Sequence, residues 1–260
     1  MGIKTVILAG GYGTRIRDVT SDIPKPMIPI GNYPILWHVM KHYSCYGIKD
    51  FVLCLGYKSE IIKDYFSNYL VRQNDFSLNL TTQDIQYHTN NLSEEWTITF
   101  SETGLNSQTG ARVFRVKRYI ENEDRFMLTY GDGVGNIDID ELLRFHKSHG
   151  KLMTVTGAHP PGRFGELDIE GNQVIGFNEK PQTTEGWISA GFFVCERGVL
   201  DYLNSDENLI LERDPIENLV KDQQLMVYKH PGFWHPMDTS RDYNLLNKLW
   251  QEKQAPWKIY

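Results

Sequence analysis

The chain has 260 residues, 40% of them apolar and 23% charged, which suits a substantial core under a charged surface and excludes a disordered chain. Twenty-seven basic against thirty-three acidic side chains leave a net charge of −6, without the basic excess of a nucleic-acid binder, so an anionic ligand must be met by a local cluster of positive groups. No stretch approaches the ~18 consecutive apolar residues of a membrane span, Met1–Ala9 lacks a secretory pattern, and Cys45, Cys54 and Cys195 make neither a disulfide framework nor a Cys-x-x-Cys site. A cytoplasmic protein with no nucleic acid or membrane partner follows, its cysteines serving as small core residues.

In chain order, Thr5–Ala9 is a short apolar run ending in Gly10-Gly11, the pattern of a buried strand entering a loop. Pro34 opens a helix with Ile35, Leu36, Val39, Met40 and Tyr43 at helical spacing, stopped by Gly47. Phe51–Leu55 is the next strand, and Ser59–Tyr69 the next helix, with Ile61, Ile62, Tyr65 and Phe66 on one side. The segment 76–103 breaks this rhythm: it is polar, rich in Asn and Thr, and alternates only at Trp96–Phe100, which predicts a small antiparallel β insertion. Phe126–Thr129 is a strand ending at Gly131-Asp132-Gly133, and Asp138 with Glu141 marks a helix start. Glu166–Ile169 and Val174–Phe177 read as a hairpin, and Asp214-Pro215 as a capped helix start. Strand, loop and helix in repetition predict an α/β fold with a mostly parallel sheet and helices on both faces. No linker divides the chain, so a single domain over 1–260 is expected.

The segment Leu8-Ala9-Gly10-Gly11-Tyr12-Gly13-Thr14-Arg15 leaves the first strand and is followed by Pro24-Lys25-Pro26. Its glycines let backbone N–H groups converge on an anion, and Arg15 and Lys25 supply the charge that the acidic chain otherwise lacks. The dinucleotide fingerprint fails, because its last glycine falls on Ile16, and the Walker pattern fails for want of Gly-Lys-Ser/Thr. Phosphate binding is the favoured reading over a plain glycine-rich turn. His38 and His42 have metal-ligand spacing on a helix, but Val39 replaces the Glu of H-E-x-x-H, and His230 and His235 read as loop-packing residues.

These strings, with Pro34–Leu36, Tyr130–Gly133, Phe177–Pro181, Ser189–Phe193 and Trp234–Thr239, resemble the sugar-1-phosphate nucleotidyltransferases over nearly the whole chain. Within that family, Thr109–Arg112, Pro160–Gly165, His230–Thr239 and Ala255–Lys258 are most similar to the cytidylyl branch acting on glucose 1-phosphate. The resemblance implies a Rossmann-like nucleotidyltransferase fold and an enzyme joining CTP to α-D-glucose 1-phosphate, with release of pyrophosphate and formation of CDP-glucose. It implies Arg15 and Lys25 as the catalytic cations. Leu8 to Arg15, Lys25, Thr109, Arg112 and Gly131 would hold the nucleotide, and Glu179, Lys180 and Gly191 the sugar phosphate. Asp132 and Asp238 would hold one Mg²⁺. Taken alone, Gly131-Asp132-Gly133 is also a good turn, Asp238-Thr239 could cap the last helix, and Lys180 and Arg163 could be solvated surface residues. A homo-oligomer and a role in making CDP-linked deoxysugars for a bacterial surface polysaccharide are implied as well. The alternatives are a thymidylyl-, uridylyl- or guanylyltransferase on another hexose 1-phosphate, and a non-catalytic sugar-nucleotide sensor on the same fold.

Overall fold

The computed structural model describes residues 2–13, 16, 22–89, 94–159, 166–170, 173–178 and 186–260. Strand β1 (Lys4–Leu8) is buried from Thr5 onward, as its uninterrupted apolar run requires. After the glycine loop, a 3-10 turn at Lys25–Met27 leads into a two-residue hairpin of β2 (Pro29–Ile30) and β3 (Tyr33–Pro34). Pro34 then stands at the N-cap of α1 (Ile35–Cys45), whose apolar positions are buried as their spacing predicts. Strand β4 (Asp50–Leu55) follows, then α2 (Ser59–Ser67) and α3 (Tyr69–Gln73). These two divide the expected 59–69 helix at Asn68, whose side-chain amide donates to the Asp64 carbonyl and carboxylate and so ends the first helix.

The expected insertion over 76–103 is narrower than its composition suggested. An antiparallel hairpin is present, formed by β5 (Phe76–Leu78) and β6 (Ile85–Tyr87), but β7 (Thr97–Glu102) pairs parallel to β4 in the main sheet. The alternation at Trp96–Phe100 arises because β7 ends a path of the sheet and sets the half-buried Ile98 and Phe100 against one core. That pattern is the same whether the neighbouring strand runs parallel or antiparallel, so period alone could not assign it.

The second half contains α4 (Thr109–Arg115), α5 (Lys117–Ile120), β8 (Arg125–Tyr130), β9 (Gly133–Gly135) and α6 (Ile139–His149). Asp138 caps α6 by accepting the Glu141 N–H at 2.8 Å. Next come β10 (Met153–Ala158), the predicted hairpin of β11 (Glu166–Glu170) and β12 (Gln173–Asn178), then β13 (Ile188–Ser189) and β14 (Phe193–Glu196). The chain closes with α7 (Asp214–Lys221), β15 (Leu225–His230), β16 (Trp234–Pro236) and α8 (Ser240–Gln251). Asp214 is the first residue of α7 rather than its cap.

Strands β8, β1, β4 and β7 run parallel, β14 runs against β8, and β10 and β15 return to the common direction. Strand β15 covers one edge of β10 along its whole length, so β13 and β14 share the other, end to end, with a kink at Ala190–Phe192. Alternate residues feed two cores. Ile7, Leu53 and Met127 pack with α1 on one face, whereas Val6, Val52 and Leu128 pack with α4 on the other. Each such fully buried side chain contributes about 1.5–3 kcal/mol. Among the described residues, no helix is long and apolar enough to cross a membrane.

One expectation from sequence is amended here. Cys54 and Cys195 are buried, and burial pushes the Cys54 thiol up to about 12, but Cys45 is exposed at the end of α1. His38 bonds the Tyr260 hydroxyl and the Ile30 carbonyl, while His42 bonds the Ile137 carbonyl, so their helical spacing serves packing. Burial pushes both imidazoles down to about 4, which keeps them neutral in the core.

Candidate active site

The carboxyl ends of the parallel strands β1 and β8 lie side by side, the position where open α/β sheets place their ligands. Leu8 passes directly into Ala9 and Gly10, while Tyr130 passes into Gly131, whose N–H donates to the Leu8 carbonyl at 3.0 Å. Between them opens a cavity of about 330 Å³, whose walls include Gly10, Gly11, Gly13, Lys25, Asp132 and Asp238. Its far wall is the loop 105–109 at the start of α4. Tyr12 spans the two sides, its hydroxyl donating to Asn106 Oδ1 at 2.7 Å.

The glycine loop is held from beneath by Arg112, which is only 5% exposed. Its Nη1 donates to the Leu55 and Gly104 carbonyls and the Thr103 hydroxyl, at 3.0, 2.9 and 2.8 Å. Its Nη2 donates to the carbonyls of Gly10 and Leu105, at 3.0 and 3.3 Å. A Cβ at Gly10 would fall 2.2 Å from Nη1, so the guanidinium can approach only a glycine there. Burial lowers the Arg112 pKa, and the acceptors that its guanidinium meets are four carbonyls and one hydroxyl rather than a carboxylate.

Asp132 and Asp238 are brought together by a three-residue antiparallel ladder. Strand β9 pairs with β16 so that Gly133 faces Pro236, and Met237 N–H donates to the Asp132 carbonyl at 2.8 Å. The residue after the ladder on one strand thus meets the residue before it on the other. Asp238 is fixed further by the start of α8. Thr239 and Asp242 form a capping box, and Asp242 Oδ2 also accepts the Asp238 N–H at 3.0 Å. His235 Nε2 lies 2.9 Å from the other Asp242 oxygen. Burial opposes ionisation of Asp242, but these hydrogen bonds outweigh it and hold the carboxyl down at about 2.

Lys25 Nζ lies between the two acids, 2.6 Å from Asp132 Oδ2 and 2.5 Å from Asp238 Oδ1. Burial alone would lower the ammonium's pKa, but the two carboxylates outweigh it and raise the value above its ordinary level. Gly13, at φ 59°, brings the glycine loop against the stem of this lysine, where a Cβ would lie 2.9 Å from Lys25 Cβ. The arrangement is an anion-accepting loop beside a cation-accepting pair of carboxylates. It suits a polyphosphate carrying a hard metal ion.

Residues 4–250 match the family model described as nucleotidyl transferase. The chain belongs to the nucleotidyl transferase family. It is 46% identical to the glucose-1-phosphate cytidylyltransferase of Salmonella typhi, over 99% of this chain and 100% of that one. Identity falls to 27% against mannose-1-phosphate guanylyltransferase 1 of Arabidopsis thaliana, over 99% of this chain and 68% of that one. Among solved structures, the inositol-1-phosphate CTP transferase of T. maritima covers 95% of this chain with a TM-score of 0.64 at 16% identity, with 96% of that chain covered. The apo-UDP-glucose pyrophosphorylase covers 98% of it with a TM-score of 0.70 at 17% identity, with 100% of that chain covered.

The fold of this nucleotidyl transferase brings together most of the residues expected to form its site. Leu8, Ala9, Gly10, Gly11, Tyr12, Gly13, Lys25, Asp132 and Asp238 all line the cavity, with Gly131 between Tyr130 and Asp132. Thr109 lines it too, although its hydroxyl donates to Glu212 Oε2 at 2.6 Å. Gly191 lies beside β8, its backbone against the Tyr130 ring. Thr14, Arg15, Arg163, Glu179 and Lys180 lie outside the described residues. Sequence reasoning missed Asn106, Tyr130 and Glu212. The Tyr130 hydroxyl donates to Glu212, which ties the cavity rim to the turn before α7, and no short motif marks that residue. Of Asp238-Thr239, Thr239 caps α8, while Asp238 lines the cavity.

Proposed function

We propose that the protein joins CTP to α-D-glucose 1-phosphate, releasing pyrophosphate and forming CDP-glucose. The observation that carries this reading is the convergence of the glycine loop, Lys25 and the two carboxylates on one cavity. The choice of cytosine and glucose is supported by the 46% identity to the Salmonella typhi cytidylyltransferase across the full chain. A second branch of the family, the guanylyltransferases on mannose 1-phosphate, is disfavoured by the fall in identity.

The sugar phosphate is already an anionic nucleophile, so its oxygen can attack the α-phosphorus in line without a general base. The protein's task is to bring two anions together and to stabilise the charge that spreads in the transition state. Backbone N–H groups of Gly10 to Gly13 would cradle the triphosphate, with Arg15 and Lys25 as the cations. Lys180 and Glu179 would hold the sugar phosphate and a sugar hydroxyl, beside Gly191.

Asp132 and Asp238 fit a hard divalent cation, since they are oxygen donors whose oxygens already converge on one ammonium group. Mg²⁺ commonly takes only one or two protein carboxylates and completes its shell with phosphate oxygens and water. When bound, it supplies charge neutralisation across the phosphates.

Further parts of the proposal are a cytoplasmic location, a supply of CDP-glucose to CDP-linked deoxysugars of a bacterial surface polysaccharide, and a homo-oligomer. The oligomer is supported by the β5–β6 hairpin, where Phe76, Leu78, Ile85 and Tyr87 are exposed on a two-stranded ribbon that is marginal alone. Light scattering on the intact chain tests it. The activity is tested by pyrophosphate release, with CTP, dTTP, UTP and GTP each offered against a panel of hexose 1-phosphates. Turnover with CTP and glucose 1-phosphate well above every other pair is expected. Preference for another base would refute the assignment.

A further inference from the structure

Lys25 stands where a metal cation would stand. One oxygen from each carboxylate lies within 2.6 Å of its Nζ, and its side chain is only 11% exposed. The backbone beneath it is fixed. Pro24 and Pro26 flank it, the Met27 N–H donates to the Pro24 carbonyl at 2.8 Å, and the Ile28 N–H donates to the Lys25 carbonyl at 3.1 Å. The side chain above that turn keeps its own torsions, and lysine is a flexible stem with a compact point charge.

A hard divalent cation on Asp132 and Asp238 would draw on the same two carboxylates that the ammonium now holds. With both cations in place, a single charge would sit within a few ångströms of a double one, and the two would share the same negative charge. Occupancy by one therefore weakens occupancy by the other, unless a further anion takes the ammonium. The glycine loop offers the place for such an anion. It passes so near the lysine stem that a Cβ at Gly13 would lie 2.9 Å from Lys25 Cβ. Rotation of the side chain alone can then carry the charge from the carboxylates to a phosphate in the loop.

We propose that Lys25 is a resident counter-ion, which holds the two carboxylates together in the free protein and exchanges with the divalent cation when a nucleoside triphosphate draws its ammonium away. The proposal rests on the reading of Asp132 and Asp238 as metal ligands. It deepens that reading by making nucleotide and metal binding mutually reinforcing. Free protein holds the metal weakly, and the lysine that later meets phosphate is the same group that kept the empty site closed. Repulsion between the two carboxylates, which would otherwise splay them, is relieved throughout.

The test is a nucleotide-free titration with Mn²⁺, read by the loss of the free-ion electron paramagnetic resonance signal, on the intact chain. Lys25→Met keeps the stem and removes the charge. It is expected to bind Mn²⁺ more tightly than the wild type by roughly tenfold or more, the weight of one nearby positive charge in a partly buried site. Equal or weaker binding overturns the proposal. Asp132→Asn and Asp238→Asn, each combined with Lys25→Met, separate the two possible failures. If neither lowers the affinity, the carboxylate pair is not the metal site. If both lower it while Lys25→Met gains nothing over wild type, only the exchange is wrong. Crystals of the wild type supply a readout that needs no variant, with Mn²⁺ located by its anomalous scattering, alone and with CTP. Lys25 on the phosphates when both are bound is the expected result, and Lys25 still bridging both carboxylates beside a bound Mn²⁺ refutes the idea.

Discussion

Replacing Arg112 by Met keeps an unbranched side chain of similar reach and removes every donor from beneath the glycine loop. Five acceptors lose a partner: the carbonyls of Gly10, Leu55, Gly104 and Leu105, and the Thr103 hydroxyl oxygen. The loss is uneven. The Leu55 carbonyl still accepts from Thr103, through its N–H at 3.0 Å and its hydroxyl at 2.7 Å, and the Gly10 carbonyl still accepts the Tyr57 N–H at 3.2 Å. Leu105 is exposed, so water can reach its carbonyl. The uncompensated part is about one or two charge-assisted bonds, with some return from no longer burying a cation, which gives a loss of about 2–4 kcal/mol. For a chain of this size that corresponds to a fall in melting temperature of roughly 4–16 °C. The Gly10 carbonyl also loses the contact that sets its direction, so the loop amides should present a less ordered anion site and the KM for CTP should rise by roughly tenfold, or about 1.4 kcal/mol. Thermal unfolding and steady-state pyrophosphate release measure the two effects. An Arg112→Met protein that melts with the wild type and keeps its KM for CTP would show that Arg112 neither supports the loop nor faces the nucleotide.

Lys25→Ala should fold normally and lose turnover by two orders of magnitude or more, roughly the effect of removing a group that stabilises transition-state charge, and pyrophosphate release checks it. Lys180→Ala should raise the KM for glucose 1-phosphate and lower kcat/KM by roughly one to two orders of magnitude, with the KM for CTP changed much less. A selective CTP defect would move Lys180 to the other substrate. Asp242→Asn should cost about 2 kcal/mol near neutral pH, because the folded pKa of about 2 lies below the usual 3.8. A depressed carboxylate stabilises the fold above its unfolded pKa and loses that contribution as pH falls through the folded one. Urea midpoints of the two proteins should thus differ most above pH 5 and approach each other between pH 4 and 2. A gap that does not change with pH would mean that the Asp242 charge adds nothing to its hydrogen bonds.

The elements that could be read from the sequence are those whose signals are local. The apolar run of β1, the helical spacing in α1 and the Asp138 cap of α6 each lie within a few residues, and each is found as expected. The glycine loop with Lys25 was legible for the same reason. Where the pattern depends on a distant partner, the sequence carries less. Nothing in Trp96–Phe100 states that its neighbour is β4 rather than the hairpin before it. Arg112 was expected beside the nucleotide, and it does line the cavity, but its work on five protein acceptors depends on loops from three parts of the chain. Asp132 and Asp238 were paired by family resemblance. Their physical meeting rests on a ladder of three residues, with no motif to announce that Gly133 faces Pro236.

That short ladder also sets when in the life of the chain the site can exist. Its second strand, Trp234–Pro236, and the capping box at Thr239 come far later in the chain than the loop after β1 that would receive the triphosphate. Domains can begin to fold from the N-terminus during synthesis. An emerging chain could therefore assemble β1, β4 and β8 and shape the nucleotide loop, yet still lack Asp238. Lys25 would then face one carboxylate instead of two. Competence for chemistry therefore waits on residues 234–242, and a polypeptide cut before them would carry the glycine loop with only one of the two carboxylates.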